Sequence, residues 1–350
     1  MTTTTSPVRA FLASRSPRGS VAEWLRRPRP QLAPPRWLTI ALGVSAGIAL
    51  LVVPLVNPSY INLTVTLVMI WTIVGLGLNL LVGFGGQVSL GHSAFFAVGA
   101  YAVAVGGELG MPHPSTLLVA GFLPFVVGYL IGLPALRLRG LQLGLVTLAM
   151  AMATPAAIRA LEPWTHGSRG IAIDGDAPTW VPLAHVQWVY YLALLAAVIG
   201  YLVTRRLARG RLGRSFVAVR DAELVAETLG VNVWQTKTRL FAASAAYAGV
   251  AGGLYAMLLE FVGPENFGLT LSISFVTLIV VGGLATVPGA VLGALFVQYV
   301  PTFTSSISPA ATGAAYGIVL ILFAFFLPYG LVGLLRGALA PVVRRIPGKR

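Results

Sequence analysis

Five polar side chains interrupt an otherwise apolar stretch of the chain between residues 75 and 101. They are Asn79, Gln87, Ser89, His92 and Ser93. Four glycines, at positions 83, 85, 86 and 91, lie among them, and glycines at this density bend or unwind a helix. Unwound backbone at membrane depth is tolerated only where protein covers it or water reaches it. A broken helix with polar side chains is therefore a candidate for a transport pathway.

A second glycine-rich break, at residues 282–289, echoes the first. Gly282 and Gly283 are followed by a small polar residue and a further glycine, and the same order occurs at residues 85–91. Interrupted segments in corresponding positions of two halves point to a transport site, so Gly282 and Gly283 join the candidate pathway. Two alternatives remain open: the similarity arises by chance, or Gln87 and Ser89 lie in a tight turn at the cytoplasmic surface. His92, taken alone, is interpreted as a packing residue with satisfied hydrogen bonds.

A basic loop at residues 205–238 contains apolar residues at helical spacing. Phe216, Val219, Leu224 and Leu229 predict one amphipathic helix, which Gly230 and Asn232 are expected to end as C-terminal caps. An exposed apolar face needs a partner, so the loop is a candidate contact for a second protein. The candidate residues are Arg214, Arg220, Asp221, Glu223, Leu224, Glu227 and Gly230. Alternatively, the helix packs on its own bundle or on lipid headgroups, with its charges in water.

Composition places these segments in a membrane. The 350 residues are 57% hydrophobic and only 10% charged, against about 25% in a typical soluble domain, and the mean hydropathy is +0.84. We predict an all-α polytopic membrane protein with about ten transmembrane helices; half-helices near 83–91 and 282–289 are an alternative. The predicted spans are 37–56, 60–82, 88–107, 115–134, 141–160, 186–204, 239–260, 269–286, 288–304 and 313–335.

The distribution of charge predicts the orientation. With the N-terminus inside, every Lys and Arg except Arg159 and Arg169 falls on the cytoplasmic side, as the positive-inside rule requires. The net charge of +14 is thereby explained without nucleic acid as a partner. The predicted regions are a basic cytoplasmic tail (1–36, mostly disordered), a transmembrane domain (37–335) with the cytoplasmic loop 205–238 and the outer loop 162–185, and a basic cytoplasmic C-terminal tail (336–350).

Several kinds of chemistry find no support. The chain has no cysteine, and its four histidines show no metal-ligand spacing. No phosphate-binding loop occurs, so energy for transport has to come from a partner or an ion gradient. No Asp or Glu lies in the interior of a predicted span, since Glu108 and Glu260 sit at span ends, whereas ion-coupled carriers usually place ionisable groups inside the membrane. We therefore expect no enzymatic activity and no metal or cofactor bound by this chain.

Taken together, these stretches resemble the permease family of bacterial branched-chain amino acid ABC importers, of the LivM type. The resemblance covers residues 40–335 in the family's order. The segments that carry it are Gly77–Leu80, Gly86–His92, Leu138–Leu141, Gly213–Gly230 and Gly282–Ala294.

The resemblance implies inward transport by alternating access in a bacterial cell membrane, with both termini cytoplasmic. It implies four partners, namely a second permease subunit, two cytoplasmic ATPases that use the ATP, and an extracytoplasmic solute-binding protein. Loop 205–238 would carry the coupling helix, although the segment Ala226–Gly230 is shorter than the general importer pattern. A related importer of urea or amides, or an ion-gradient-driven carrier, are the alternatives.

Overall fold

The computed structural model describes residues 36–135, 141–173, 183–307, 317–318, 321 and 330–335. Nearly all of the described chain is helical. The predicted tails, the motif at residues 138–140, part of the outer loop and most of the predicted span 313–335 lie outside the described residues.

Twelve α-helices are described over these ranges, joined by short connections. They are α1 (Arg36–Val56), α2 (Ser59–Leu78), α3 (His92–Glu108), α4 (His113–Ala135), α5 (Leu141–Ala160), α6 (Glu162–Thr165), α7 (His185–Arg209), α8 (Arg211–Asp221), α9 (Glu223–Thr228), α10 (Val233–Leu259), α11 (Leu269–Gly282) and α12 (Val287–Ile307). A π-helix (Asn79–Phe84) continues α2, and 3₁₀ turns occupy Gly167–Arg169 and Pro264–Phe267. Two-residue strands β1 (Ile171–Ala172) and β2 (Phe261–Val262) pair antiparallel.

Five helices of the described chain are long and apolar enough to cross a bilayer. They cover Ser59–Phe84, His113–Leu133, Gln142–Ala160, His185–Arg209 and Val233–Leu259. Shorter apolar helices lie at Gly47–Val56, Leu269–Gly282 and Val287–Phe303. The chain is therefore an all-α polytopic membrane protein, and the count of ten spans stays a prediction.

Helix α10 forms the centre of the bundle, where it packs against α2, α3 and α4. Glycines allow this close approach, because a Cβ on Gly252 would strike the backbone carbonyl of Phe96 in α3. On the face toward α4, a Cβ on Gly249 would meet the backbone of Ala120 and the ring of Pro124. Small residues at such contacts let backbones approach closely in lipid, where apolar surface alone supplies little drive for association.

The bundle has two distinct ends. We call the end that carries residues 83–91, the loop 205–238 and the turn 283–286 the basic end. At the opposite end β1 pairs with β2, and the Ile173 N–H donates to the Glu260 carbonyl (2.8 Å). Residues 171–173 are thereby anchored to the chain just beyond α10.

The prediction of a single amphipathic helix in loop 205–238 is wrong. The helix breaks at Ala222 (φ −156°, ψ 85°) into α8 and α9. Asn232 does not end a helix: its side chain accepts from the Gln235 N–H (2.9 Å) and caps the start of α10. The break has a physical cause, since α8 is held to the bundle by Phe216 whereas α9 is held by an ion pair to α10.

We expect the α3–α10 contact to be sensitive to a single methyl group. Gly252→Ala should destabilise the protein by about 1–3 kcal/mol, because backbone cannot move aside as a flexible side chain does. The control is Gly107→Ala, where a Cβ meets nothing within 4 Å. Thermal stability of the purified protein in detergent is the measurement, and equal midpoints for the two variants would contradict the packing argument.

Candidate functional site

The first glycine-rich break lies at the end of a helix rather than within one. The α2 and π-helix segments form one continuous element, Ser59–Phe84, which closes with the Gly85 N–H donating to the Leu80 carbonyl (3.0 Å). The chain is then irregular from residue 85 until α3 begins at His92. Short π-helical stretches inside membrane or globular helices frequently occur at functional sites.

Asn79 begins the π-helix and is almost fully buried, with 1% of its surface exposed. Its Oδ1 accepts from the Ala285 N–H (2.8 Å), and its Nδ2 donates to the Thr286 carbonyl (2.7 Å). A backbone N–H only donates and a carbonyl only accepts, so these two contacts fix the orientation of the amide. One side chain thus satisfies two backbone groups of the turn that joins α11 to α12.

The turn at residues 283–286 is the second glycine-rich break, and the structure brings it against the first. A Cβ on Gly83 would meet the Ala285 backbone nitrogen at 2.5 Å. Ala285 has φ +57°, a left-handed conformation that costs a non-glycine residue roughly 1–2 kcal/mol. The Thr286 hydroxyl donates to the Gly283 carbonyl (2.7 Å) and, with Asn79, holds this conformation.

His92 is 1% exposed and fully hydrogen-bonded. Its Nε2 lies 2.7 Å from Ser244 Oγ, and its Nδ1 lies 2.9 Å from Ser89 Oγ. The Ser244 hydroxyl donates to the Gly77 carbonyl (2.7 Å), so it accepts from His92 Nε2–H, and Nδ1 accepts from Ser89. The neutral imidazole satisfies all these atoms, and the network joins α3 to α10 and α2.

Gln87 stands apart because its amide is buried without a partner. The residue is 6% exposed, and neither Nε2 nor Oε1 makes a hydrogen bond. A buried unpaired amide costs about 1–3 kcal/mol. Any solute, water molecule or protein subunit that supplies a donor and an acceptor to the Gln87 amide would therefore stabilise the structure.

On α8, one candidate residue reaches the first break. Arg220 donates from Nη1 to the Gly83 carbonyl (2.8 Å) and from Nε to Asp221 Oδ1 (2.8 Å). Its aliphatic stem packs over Gly86, whose φ is +66°. Arg214 lies on the exposed surface of the same helix. The basic loop and the first glycine-rich break, separate in the sequence, are thus in direct contact.

Helix α9 presents apolar side chains to its surroundings. Leu224 is 73% exposed and Leu229 is 77% exposed, whereas Ala226 is buried. Glu223 pairs with Lys237 of α10 (2.8 Å) and fixes the helix to the bundle. Glu227 is exposed, and Gly230 has φ +81° with open space around it.

A large apolar groove of the described chain lies away from these residues. It is a groove of about 550 Å³ between α3, α4 and α5, and none of the candidate residues lines it. Its walls are almost entirely apolar, with Phe95, Leu123 and Met150 among them. A charged solute would lose its hydration there without compensation, so we do not assign the transport pathway to this groove.

Sequence reasoning missed Ser244, Thr286 and Lys237. Ser244 and Thr286 contact partners far away along the chain, and Lys237 pairs with Glu223 of the preceding helix; no local spacing signals these contacts. Within the described ranges, no group of three or more His, Asp or Glu side chains is placed to hold a metal ion.

A family profile described as the branched-chain amino acid transport system permease component matches residues 60–327, a range that includes every candidate residue. The LivM permease protein of the high-affinity branched-chain amino acid transport system of Escherichia coli is 34% identical over 255 residues, 66% of this chain. The match spans 60% of the length of that relative.

Two further relatives match over most of their lengths. The corresponding BraD protein of Pseudomonas aeruginosa is 26% identical over 75% of this chain and 91% of its own. The LivH protein of Escherichia coli is 24% identical over 77% of this chain and 93% of its own. No solved structure matches the chain.

The histidine network generates a prediction about stability. Ser244→Ala removes the partner of His92 Nε2–H and leaves that group buried and unpaired, which should destabilise the protein by about 1–3 kcal/mol. Ser274→Ala removes only an exposed hydroxyl contact to the Thr270 carbonyl and should change little. Thermal unfolding of both variants is the measurement, and an unchanged midpoint for Ser244→Ala would contradict the assigned network.

Proposed function

The chain belongs to the family of permease components of branched-chain amino acid transport systems, and we propose that it is the transmembrane subunit of an ATP-driven importer. Its substrates are branched-chain or similar amino acids. It performs no covalent chemistry and binds no cofactor itself, because the ATP is bound and hydrolysed by partner subunits.

The proposed complex contains this chain, a second related permease, two cytoplasmic ATPases and an extracytoplasmic solute-binding protein. In the bacterial cell membrane the chain crosses about ten times, with both termini and the basic end in the cytoplasm. The arginine-rich segment 205–214 at this end supports the orientation, since cytoplasmic loops are enriched in Lys and Arg.

The exposed apolar surface of α9 is the observation that best supports an ATPase partner. Leu224, Val225 and Leu229 are each more than half exposed at the basic end. An apolar patch on a short helix outside the apolar spans favours burial against another protein. The α8–α9 segment therefore acts as the coupling element, and ATP binding moves it relative to the bundle.

Solute passes by alternating access along the surface near the first break. The unpartnered Gln87 amide supports a place for this residue in the pathway, because it offers one donor group and one acceptor group to a passing solute. The side chains of Asn79, Ser89 and His92 make hydrogen bonds within the protein, so they position the pathway and do not bind solute themselves.

The decisive experiment is uptake of radiolabelled leucine and, in parallel, urea in cells with and without this gene. We expect leucine uptake to be lost on deletion and restored by the intact gene, but not when the partner ATPase carries an inactivating substitution. Loss of urea uptake instead would change the substrate and keep the mechanism. Uptake that survives ATPase inactivation and stops with a protonophore would overturn the proposal in favour of a gradient-driven carrier.

A charge on α9 tests the docking surface. Leu224→Asp should abolish uptake and co-purification with the ATPases while leaving membrane expression unchanged, because the side chain faces away from the bundle. Leu224→Met preserves apolar character and size and should behave as the parent. Normal uptake by Leu224→Asp would contradict the coupling assignment. Gly230 is a poorer test position, since its left-handed φ strains any other residue.

A further inference from the structure

Two side chains connect the basic loop to the turn between α11 and α12. Arg220 of α8 bonds to the Gly83 carbonyl near the end of the π-helix, and Asn79 at its start bonds to Ala285 and Thr286. The π-helix is a single turn, so both contacts act on one small element. We propose that Arg220 and Asn79 are positioning residues that transmit movement of the α8–α9 segment to the turn at 283–286. This inference rests on the proposed importer function and names a route within it.

The first contact is built to transmit displacement. The guanidinium of Arg220 is held in place by Asp221 at 2.8 Å, and its stem lies against Gly86. Arginine presents several donors in a rigid plane, so a shift of α8 carries the bonded Gly83 carbonyl with it. At the C-terminal end of a helix such a carbonyl lacks a full set of intrahelical partners, and the guanidinium supplies one.

The second contact acts on a turn under strain. Ala285 holds a left-handed conformation, and the turn keeps it through Asn79 and the Thr286 hydroxyl. A residue in a sparsely populated backbone conformation persists only where the surrounding structure holds it there. Displacement of Asn79 therefore alters the turn and the two helices that it joins.

Close packing makes the coupling two-sided. Gly83 lies so near the Ala285 backbone that no side chain fits between them, and the Asn79 amide occupies the adjoining space. A residue at 330 closes the other side of the turn, because a Cβ on Gly330 would meet Gly283 at 2.6 Å. Displacement of the π-helix toward the turn or away from it is thus transmitted to the turn in both directions.

The chain contains no cysteine, which allows a single reporter to be placed on the turn. Leu284 is 46% exposed, and Leu284→Cys introduces the only thiol. The experiment uses the full complex with partner cysteines blocked, and it measures the rate of maleimide labelling without nucleotide and with ATP plus vanadate. Uptake and ATP hydrolysis are measured on the same preparations.

We expect the labelling rate to depend on nucleotide in the parent. Asn79→Ala and Arg220→Gln should remove that dependence and lower the ratio of uptake to ATP hydrolysis by about fivefold or more, the lower range of typical coupling between sites. Arg220→Lys retains a donor and should restore part of the ratio. Arg220 is one-third exposed, so its substitution tests the route without unfolding the protein.

Two matched controls separate transmission from stability. Asn62→Ala removes an equally buried asparagine of α2 whose amide bonds only to the Pro54 and Asn57 carbonyls, and Arg211→Gln makes the same charge change on an exposed position of α8. Both should keep nucleotide-dependent labelling. Retained dependence in Asn79→Ala and Arg220→Gln, or its absence in the parent, would overturn the proposed route. Loss of ATP-driven uptake by the parent complex would instead overturn the importer function itself.

Discussion

A backbone N–H or C=O group that lacks a hydrogen-bond partner in lipid carries a large free-energy penalty. This constraint governs how the breaks in the bundle are built. Where α2 ends and where α11 meets α12, the chain stops forming helical hydrogen bonds. Asn79 supplies both a donor and an acceptor to the second break, and Arg220 supplies a donor to the first. These two side chains therefore stabilise the fold where the helical hydrogen bonding stops.

The same constraint distinguishes a closed hydrogen-bond network from a buried amide that has no partner in the described chain. His92, Ser89 and Ser244 form a closed set in which every polar atom is used. The Gln87 amide is also buried and makes no hydrogen bond within the described chain. A buried polar group of this kind gains stability when water, a solute or another protein supplies its hydrogen-bond partners.

The helices were largely predictable from the sequence because a lipid-facing helix needs about 20 apolar residues and lacks charge. Predicted limits such as 141–160 agree with α5. The break at Ala222 was not predictable, because the period of the apolar residues continues across it and only tertiary anchors on either side bend the chain. Asn232 illustrates the same limit, since an asparagine after a glycine fits the end of one helix and the start of the next equally well.

The two glycine-rich breaks were predictable from the sequence, whereas the way they contact one another was not. The density of glycines located the two breaks correctly, and the similarity of their sequences suggested that both belong to one pathway. The contact between Asn79 and Ala285 joins residues 206 positions apart, a separation at which single-sequence patterns carry no information. The direct bond between Arg220 and Gly83, 137 positions apart, is of the same kind.

Helix α10 has 27 residues and is about 40 Å long at 1.5 Å per residue, against a hydrocarbon thickness of about 30 Å. Its first turns hold α9 through Lys237, and the chain beyond its last turn holds β1. The helix thus sets a fixed distance between the two ends of the bundle, and its length exceeds a typical hydrocarbon layer by about 10 Å. Bilayers of different thickness would change the tilt or the solvation of α10 and leave that distance the same, so the spacing between the two ends is a property of the protein and not of its lipid.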